Sequence, residues 1–530
     1  MKRTIALLMG LLLLLGLAGC GPEYQPPAMN YPTVDPDFTR PTILDPYEII
    51  TTRPDEEPEP TVAPTEPPAS DVLSGDDLRY VMIYNPNIYD ENLSYNSTGR
   101  NTGRFGSQID VDAFRGTGLE GEEEPKLLFM TPNDLNMGFG MGDINTDGNR
   151  AEVLEPVYQQ GDTQVFYCFS PYSMQSRQQQ EFLCQYAGLF CNIWTYNCGL
   201  TTSQIQDYGT EFDSIYTEMV LTFGQPRFTN NGGKVNLLYY PMQDGIAGCF
   251  YTGDLYTAYE VSEQEIQMYG INTNHALMNL NSLYAEIPQF EVVMNATQAH
   301  EFQHLINFTN CLEANVAMRT WLNEAMSGYI EEKLYPGTKE NAMYGHLESF
   351  ASSNLIRHGQ SMYNFKTVDS DIGVYGSVYL FAEYLANLAG DDIFSEIHSY
   401  WRDSYSRTLS EAEAMAESVP SSLYGKIDTS VNYPSNLSFD SDSEEWMSKL
   451  ILDFYLSVLT ADSSDPRAFS HVDGSTLLYD EINAAEIEGG GRVIIALSGD
   501  SFEIPDDADS GLVYIGLNSD FEVITDIIYQ

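Results

Sequence analysis

The chain has 530 residues, of which 43% are hydrophobic and 12% aromatic, values that are typical of a globular protein with room for several domains. It carries 77 Asp and Glu against 24 Lys and Arg, which gives a formal net charge of −53. A surface this acidic repels phosphate backbones, which argues against a nucleic-acid partner. The acids either keep an extracellular surface soluble or attract cationic substrates or calcium.

The first 20 residues have the layout of a secretory signal. A short basic start precedes the apolar run Ile5–Leu17, and small residues stand directly before Cys20. This ending resembles the lipobox of bacterial lipoproteins, which implies cleavage before Cys20 and a lipid on its thiol. A transmembrane anchor is the alternative, but the run is too short to span a bilayer comfortably. The mature chain is therefore expected outside the cytoplasm, at the cell surface or facing the periplasm, with Cys20 anchored in the membrane.

Two regions of different composition follow the signal peptide. Residues 21–75 are rich in proline, threonine and acids without helical or strand periodicity, which predicts an extended tether. Residues 76–199 contain short apolar runs, such as YVMIYN and KLLFM, broken by Gly, Asn and Asp. This pattern predicts a β-rich N-terminal region.

A D-x-N-x-D-G sequence within this region resembles the start of a calcium loop. Asp143, Asn145 and Asp147 stand at the alternate positions that supply oxygen ligands in EF-hand loops. The twelfth position should be Glu but is Leu154, and the nearby glutamates are out of register. A calcium site and a plain Asn/Asp/Gly turn therefore both remain open.

Six cysteines follow Cys20, namely Cys168, Cys184, Cys191, Cys198, Cys249 and Cys311. An even number in an exported chain permits three disulfides. Because four of the six fall between positions 168 and 198, local pairing is expected there. Free thiols are the alternative if the source organism is anaerobic. The absence of a C-x-x-C pair argues against a zinc site made of cysteines.

Strands and helices alternate in the pattern beyond residue 200. Residues 234–242 and the following run CFYTGDLY are predicted to form a hairpin, and Ala276–Tyr284 is predicted to be a further strand. The apolar spacing predicts helices over four ranges, namely 291–309, 311–334, 376–390 and 443–461. The tail, residues 466–530, alternates in the manner of β-strands and is predicted to be a β-rich C-terminal region.

The sequence NATQAHEFQHLINF, at 295–308, places two histidines four positions apart. His300 and His304 therefore share one face of a helix, where both can reach one ion. Together with Glu301 they match H-E-x-x-H, the zinc-binding helix in which the glutamate activates water. The alternative is an ordinary helix with two solvated histidines.

A zinc site needs a third protein ligand and, for catalysis, an open fourth position. Glu324 lies 20 positions after His304 in the sequence TWLNEAMSGYIEEKLY and has mostly apolar neighbours. Its carboxylate is predicted to face inward, where a metal ion would satisfy it. The alternative is an exposed acid on the helix surface, as Glu331 and Glu332 are expected to be.

H-E-x-x-H followed by N-E-A on the next helix resembles the gluzincin metallopeptidases, such as thermolysin and the aminopeptidase N type. The stretches AHEFQHLINF and WLNEAMSGYIEE are most similar to the hyicolysin-like secreted bacterial metallopeptidases, and the resemblance spans about residues 234–390. It implies that His300, His304 and Glu324 bind one zinc ion. It also implies that Glu301 is the general base.

The same resemblance implies an α+β fold with a zincin-like catalytic domain over residues 200–465. Such a domain has a mixed sheet, an active-site helix and a helical lower subdomain, here flanked by β-rich regions. Residues 76–199 are then open to three interpretations: an inhibitory pro-domain, a binding module or part of the catalytic fold.

The sequence VYGSVYLFAEYLANLAG resembles the helix that carries a transition-state tyrosine in aminopeptidase-type gluzincins. Their pattern sets a tyrosine nine positions before a Tyr-Leu pair, as Tyr375 stands before Tyr384 and Leu385. The resemblance implies that Tyr375 donates its phenol to the developing oxyanion. A tyrosine of the core or of the helix start is the alternative.

One position departs from the thermolysin pattern, in which an Asp four residues after the glutamate ligand orients a zinc histidine. Gly328 stands at that position here, so the group that holds the imidazoles is left open. His346, His358 and His398 lie in no recognisable motif and are interpreted as surface or packing residues.

The resemblance implies a lipid-anchored zinc metalloendopeptidase that hydrolyses proteins or peptides. Endopeptidase action is preferred because the secreted metallopeptidases that the chain resembles attack proteins. No G-x-M-x-N-like stretch is present to hold a substrate's free amine, but the many acids of the chain leave aminopeptidase action as an alternative. The alternative is an inactive zincin scaffold that serves as a binding protein or adhesin. The presence of Glu301 argues against this alternative, because a pure scaffold has no need of a general base.

Overall fold

The computed structural model describes the chain in stretches separated by gaps, namely residues 72–88, 99–100, 104–109, 127–130, 139–140, 157–227, 233–258, 260–314, 320–335, 361–362, 373–406, 419, 422–423, 426, 443–460, 487–497, 499–504 and 511–529. All of them fall within one compact unit, Pro68–Gln530. The predicted lipidation site Cys20 and the calcium-like residues Asp143, Asn145 and Asp147 lie outside the described residues.

The strands of the described chain are β1 Val72–Ser74, β2 Tyr80–Tyr84, β3 Gly99–Arg100, β4 Arg104–Ile109, β5 Leu127–Met130, β6 Phe139–Gly140, β7 Thr163–Ser170, β8 Ser173–Ala187, β9 Cys191–Thr195, β10 Val235–Tyr240, β11 Ile246–Tyr251, β12 Leu277–Asn281, β13 Arg492–Ala496, β14 Ser501–Glu503, β15 Val513–Leu517 and β16 Ile528–Tyr529. Strands β2 and β5 lie within the runs YVMIYN and KLLFM, and β13 to β16 lie within the described part of the tail.

Eight of these strands form one mixed sheet, with the strand order β5–β4–β11–β12–β10–β9–β8–β7. The three neighbours β9, β10 and β12 run parallel to one another, and the other pairings are antiparallel. All residues of β9, β10, β11 and β12 are buried, as expected for strands covered on both faces.

The helices of the described chain are α1 Thr202–Phe223, α2 Glu263–Tyr269, α3 Ser282–Ala285, α4 Glu291–Ala314, α5 Thr320–Leu334, α6 Gly373–Ala389, α7 Asp392–Ser406 and α8 Ser443–Thr460, with short 3-10 helices at Thr252–Leu255 and Pro288–Phe290. Helix α4 packs against β11 and β12 and also contacts α1, α5 and α7. Helix α5 packs on α4 and α6. This mixture of sheet and helices is compatible with the predicted α+β class.

The predicted hairpin of β10 and β11 is wrong. Strand β12 lies between them, parallel to β10 and antiparallel to β11. The side chain of Asn281, at the end of β12, holds the connecting loop: it accepts from the Met242 amide and donates to the Ile246 carbonyl. The loop is therefore fixed across the end of β12, so the two strands it joins cannot close on each other.

The boundaries of a predicted strand and of two predicted helices also differ from those in the structure. The strand predicted over Ala276–Tyr284 ends at Asn281, because the Asn281 side chain accepts from the Leu283 amide and caps helix α3. The helix predicted over 291–309 continues to Ala314, whereas the next one begins at Thr320. Among the described helices, none combines the length and apolar character needed to cross a bilayer.

The six cysteines after Cys20 are free thiols, so the expected local pairing is wrong and the stated alternative of free thiols agrees with the structure. In the ladder of β7, β8 and β9, Cys168 lies opposite Gln178 and Cys184 lies opposite Trp194. The cross-strand neighbours of these two cysteines are therefore not cysteines. Burial raises the pKa of the Cys168 thiol to about 12, which keeps it protonated and unreactive.

Candidate metal centre

Helix α4 comes very close to strand β11 at Gly248. A Cβ atom at this position would lie 2.6 Å from Cγ2 of Thr297 and 3.3 Å from Cγ of Glu301, so glycine is required for the approach. The approach brings Glu301 to the backbone of β11, where its Oε2 accepts a 2.8 Å hydrogen bond from the amide of Phe250. Glu301 is thus held in place by a strand as well as by its own helix.

Three side chains from α4 and α5 converge on one point. The Nε2 atoms of His300 and His304 are 3.0 Å apart. Oε2 of Glu324 lies 3.5 Å from the first of these nitrogens and 3.6 Å from the second. All three residues are buried, so Glu324 faces inward as the sequence predicts.

The geometry of this triad fits a metal ion. Zinc bonds of about 2.0–2.1 Å at tetrahedral angles separate neighbouring ligand atoms by about 3.3 Å, close to the three distances between the triad's donor atoms. Two imidazole nitrogens and one carboxylate oxygen also form a donor set that zinc uses. Together, His300, His304 and Glu324 are residues that can hold a metal ion.

Burial sets the protonation of the triad. It lowers the pKa of His300 to about 3 and that of His304 to about 4, so that both imidazoles are neutral near pH 7. It raises the pKa of Glu324 to about 7, an effect larger than the opposing influence of His304. Neutral imidazoles offer lone pairs to a cation, and a cation in turn favours the ionised carboxylate.

Glu331 supplies a contact that the sequence interpretation missed. The expectation that it is an exposed surface acid is wrong: Glu331 is fully buried, and its Oε2 lies 3.1 Å from Nδ1 of His300. A carboxylate on the second ring nitrogen fixes the tautomer and leaves Nε2 of His300 for a metal. The sequence signal that could have revealed this contact is spacing. Glu331 follows Glu324 by seven positions, or about two helical turns, so both lie on the same face of the helix.

The burial of Glu331 has an electrostatic consequence. Removal from water, together with the charges of Glu332, Glu301 and Glu324, raises its pKa well above the ordinary value. Several acids therefore crowd a region that holds neutral histidines. A bound cation would offset their mutual repulsion.

Asn323 and His398 are two further polar residues that are buried. Asn323 precedes Glu324 on α5, is buried, and accepts a hydrogen bond at its Oδ1 from Nδ2 of Asn307 on α4. His398, on α7, is buried and hydrogen-bonded, so of the two interpretations given for it, surface or packing, the structure supports packing. His346 and His358 lie outside the described residues.

Tyr375 is placed in the first turn of α6, where it is buried. Helix α6 packs on α5, the helix that carries Glu324. The structure thus brings together His300, His304 and Glu324, with Glu301 on the same helix as the two histidines, and puts Tyr375 on a neighbouring helix.

Comparison with known proteins gives one relative with a described activity. The chain is 27% identical over 230 residues to the neutral metalloprotease ShpI of Staphylococcus hyicus, across 40% of this chain and 49% of that protein. The chain thus matches about half the length of this relative. No protein-family model matches the sequence. The similarity supports a distant relationship to metalloproteases, and with the buried triad it points to a metal ion in this centre.

Proposed function

We propose that the chain is a zinc-dependent metalloendopeptidase. The observation that carries the proposal is the convergence of His300, His304 and Glu324 on one buried point, with Glu301 on the same helix. The donor set favours zinc, and the partial similarity to a neutral metalloprotease favours peptide bonds as the substrate. In this proposal the sheet and helix α4 belong to a zincin-like catalytic domain.

The proposed chemistry divides between the ion and the protein. Zinc, when bound by the triad, supplies a Lewis acid and lowers the pKa of water. Glu301 takes the proton of the attacking water and passes it to the leaving amine. The amide of Phe250, which donates to Oε2 of Glu301, holds this carboxylate in place for the transfer. Glu331 keeps the imidazole of His300 in orientation throughout.

Tyr375 is proposed to stabilise the oxyanion of the tetrahedral intermediate with its phenol. Its place on α6, next to the helix of Glu324, supports this role. Preorganised donors of this kind contribute about 3 kcal/mol to transition-state binding in other enzymes. The Tyr375→Phe variant is therefore expected to lower kcat by roughly a hundredfold with little change in zinc content.

The cellular location of the enzyme is also proposed. The lipobox-like sequence supports anchoring in the membrane through a lipid on Cys20, with the catalytic part outside the cytoplasm. Proteins or peptides in that compartment are the proposed substrates. Asp143, Asn145 and Asp147 are proposed to bind calcium as an accessory ion, which the D-x-N-x-D-G pattern supports.

A pair of glutamate variants tests the proposed chemistry. Glu301→Gln is expected to retain zinc and to lose casein cleavage by at least a thousandfold, because Gln cannot accept the proton. Glu291→Gln is the matched control: Glu291 is the first residue of the same helix and is exposed. This control should cleave at the wild-type rate.

The outcomes separate the two candidate functions. Cleavage by Glu301→Gln at a rate near that of the wild type would refute Glu301 as the base. Zinc binding by a wild-type protein that cleaves no protein or peptide would favour the inactive scaffold over the peptidase.

A further inference from the structure

Strands β3 to β6 belong to one insertion in the chain. Residues 99–140, called here the inserted segment, lie between β2 and β7, which belong to two different sheets. The first and last strands of the segment, β3 and β6, pair antiparallel, with Gly99 opposite Gly140 and Arg100 opposite Phe139. The Cα atoms of residues paired in this way are about 4.5–5.5 Å apart. The inserted segment therefore begins and ends at one place in the fold.

The two middle strands of the inserted segment extend the eight-stranded sheet beyond β11. Strand β4 pairs antiparallel with β11, and β5 pairs antiparallel with β4 at the end of the sheet. Because β12 is the other neighbour of β11, removal of the segment would make β11 an edge strand. An edge strand has a row of unpaired backbone N–H and C=O groups. In this structure β4 pairs with that row.

This edge of β11 lies beside the proposed general base. Ser107 of β4 stands opposite Gly248 in the ladder, and a Cβ atom at Gly248 would lie 3.3 Å from Cγ of Glu301. Strand β4 also contacts helix α4, which carries Glu301 and the two histidines of the triad. Neighbouring strands lie about 4.8 Å apart. The backbone of β4 at Ser107 is thus one strand spacing from a residue that contacts Glu301.

An extended peptide would compete with β4 for this edge. Peptides add to a sheet by pairing with a free edge strand, whose backbone hydrogen bonds align them. At β11 this pairing would place the peptide backbone beside Glu301 and helix α4. A substrate bound in this way and strand β4 need the same backbone groups of β11. The two cannot occupy the edge together.

The pairing of β4 with β11 is irregular. The register shifts between Ile246 and Gly248, which face consecutive residues of β4, so Ala247 is an extra residue on β11. A bulge of this kind disrupts the ladder locally. Gly106 lies within β4, and a glycine inside a strand weakens it because glycine loses more conformational freedom on ordering. Both features favour a strand that a competing one can displace.

We propose that the inserted segment is an intramolecular inhibitor of the peptidase, in which β4 occupies the edge of β11 that an extended protein substrate would pair with. This inference rests on the proposed function, because β11 and α4 must then line a peptidase site. Of the three interpretations open for residues 76–199, inhibition is assigned to the inserted segment alone. The apparent affinity for substrate is then reduced in proportion to the fraction of molecules whose edge is free.

The paired ends of the inserted segment define a deletion variant. Residues 101–138 are replaced by Asn-Gly, a turn that joins two antiparallel strands directly, so that Arg100 and Phe139 stay opposite each other. A second variant, Gly106→Pro in the full chain, removes a backbone donor from a strand that lies between two others. Leu127→Pro is the matched control, because Leu127 is the first residue of the outer strand β5, where proline is tolerated.

Steady-state cleavage of casein separates KM from kcat in each protein, and zinc content and Tm report folding. We expect the deletion and Gly106→Pro to lower KM roughly tenfold and to leave kcat within about twofold, as for an inhibited state that about nine molecules in ten occupy. Cleavage by the deletion variant alone would support complete inhibition. Leu127→Pro should keep the KM of the wild type. Glu301→Gln in the deletion variant should abolish its cleavage.

The other outcomes separate this inference from the proposed function. If the wild type cleaves casein, an unchanged or higher KM in the zinc-bound variants would overturn the inference and leave the peptidase intact. An equal decrease in KM for Leu127→Pro would also overturn it, because β5 does not pair with β11. If the deletion variant does not fold, Gly106→Pro decides, and loss of zinc from both would make β4 part of the catalytic fold, contrary to the inference. If neither the wild type nor the zinc-bound deletion variant cleaves any protein or peptide, the proposed function fails together with the inference.

Discussion

His300 and Glu324 illustrate how burial prepares side chains for a cation. The imidazole of His300 is kept neutral by its removal from water, and Glu331 contacts its second nitrogen. The carboxylate of Glu324 is held where it is difficult to ionise without a positive partner. The same environment that destabilises a charge at Glu324 thus favours binding of a divalent cation.

Zinc affinity should therefore depend on pH near neutrality. Burial raises the pKa of Glu324 to about 7, and the metal binds the deprotonated form. As the pH falls below 7, a proton competes with zinc, and the dissociation constant should rise about tenfold per pH unit. Calorimetric titrations at pH 6, 7 and 8 measure this slope.

Glu324→Gln supplies the control for this titration. The variant should bind zinc more weakly at every pH, and its affinity should lack the dependence attributed to Glu324. Equal zinc affinity of the wild type at pH 6 and pH 8 would contradict the account of this carboxylate.

The residues that bind the proposed metal were predictable because their pattern is local. His300, Glu301 and His304 lie within one turn of helix, and the inward face of Glu324 follows from its apolar neighbours. The contact between Glu331 and His300 was missed, since it depends on how α5 packs against α4. The metal-binding role of the triad and the roles of Glu301 and Tyr375 stay predictions until they are tested by substitution.

At the level of elements, the position of α4 depends on its contact with β11. Gly248 and Phe250 lie two positions apart on the strand. Gly248 leaves room for the close approach of the helix, and the amide of Phe250 donates a hydrogen bond to Glu301. The sequence showed both the strand and the helix. It did not show that they are in contact. That contact depends on the strand order, in which β12 pairs between β10 and β11, and local patterns do not predict such a pairing.

Gly248→Ala should disturb this contact. The added methyl would lie 2.6 Å from Cγ2 of Thr297, so α4 has to move away from β11. We expect a loss of about 1–3 kcal/mol in unfolding free energy and at least a tenfold loss of cleavage, because Glu301 moves with the helix. Gly499→Ala is the control, since nothing lies within 4 Å of the added Cβ there. Activity of the first variant equal to that of the control would contradict this explanation.

Helix α1 shows a signal that the sequence interpretation passed over. Thr201 and Gln204 form a capping box, in which each side chain bonds the backbone of the other. The same S/T-x-x-E/Q pattern, at Ser262 and Glu265, begins α2. Both helices were therefore predictable from their first residues. The packing of α1 and α7 on α4 was not, because it joins elements far apart in the chain.

At the scale of the whole molecule, the two ends of the described chain form one sheet. Strand β2 lies between β13 and β15 and pairs antiparallel with both. The phenol of Tyr84, at the end of β2, donates to the carbonyl of Ser448 on α8. Sequence patterns predicted these strands separately, but periodicity carries no information on partners more than 400 residues away.

Truncation after residue 490 should consequently affect more than the tail. It removes both neighbours of β2 and leaves its backbone groups unpaired, which costs free energy at each group. We expect the truncated chain to be largely insoluble or to unfold at a Tm lower by 10 °C or more, whereas removal of residues 1–20 should leave Tm unchanged. Wild-type Tm and cleavage in the chain truncated after residue 490 would contradict this view of the sheet.

The most direct test of the central claim is the metal content of the purified protein. Mass spectrometry of the wild type should find one zinc per chain, and His304→Gln should retain less than about a tenth of it under the same purification. The Asn310→Leu variant, on the same helix, should retain the full amount. Absence of stoichiometric zinc from the wild type after exposure to zinc, or undiminished zinc in His304→Gln, would contradict the assignment of this centre.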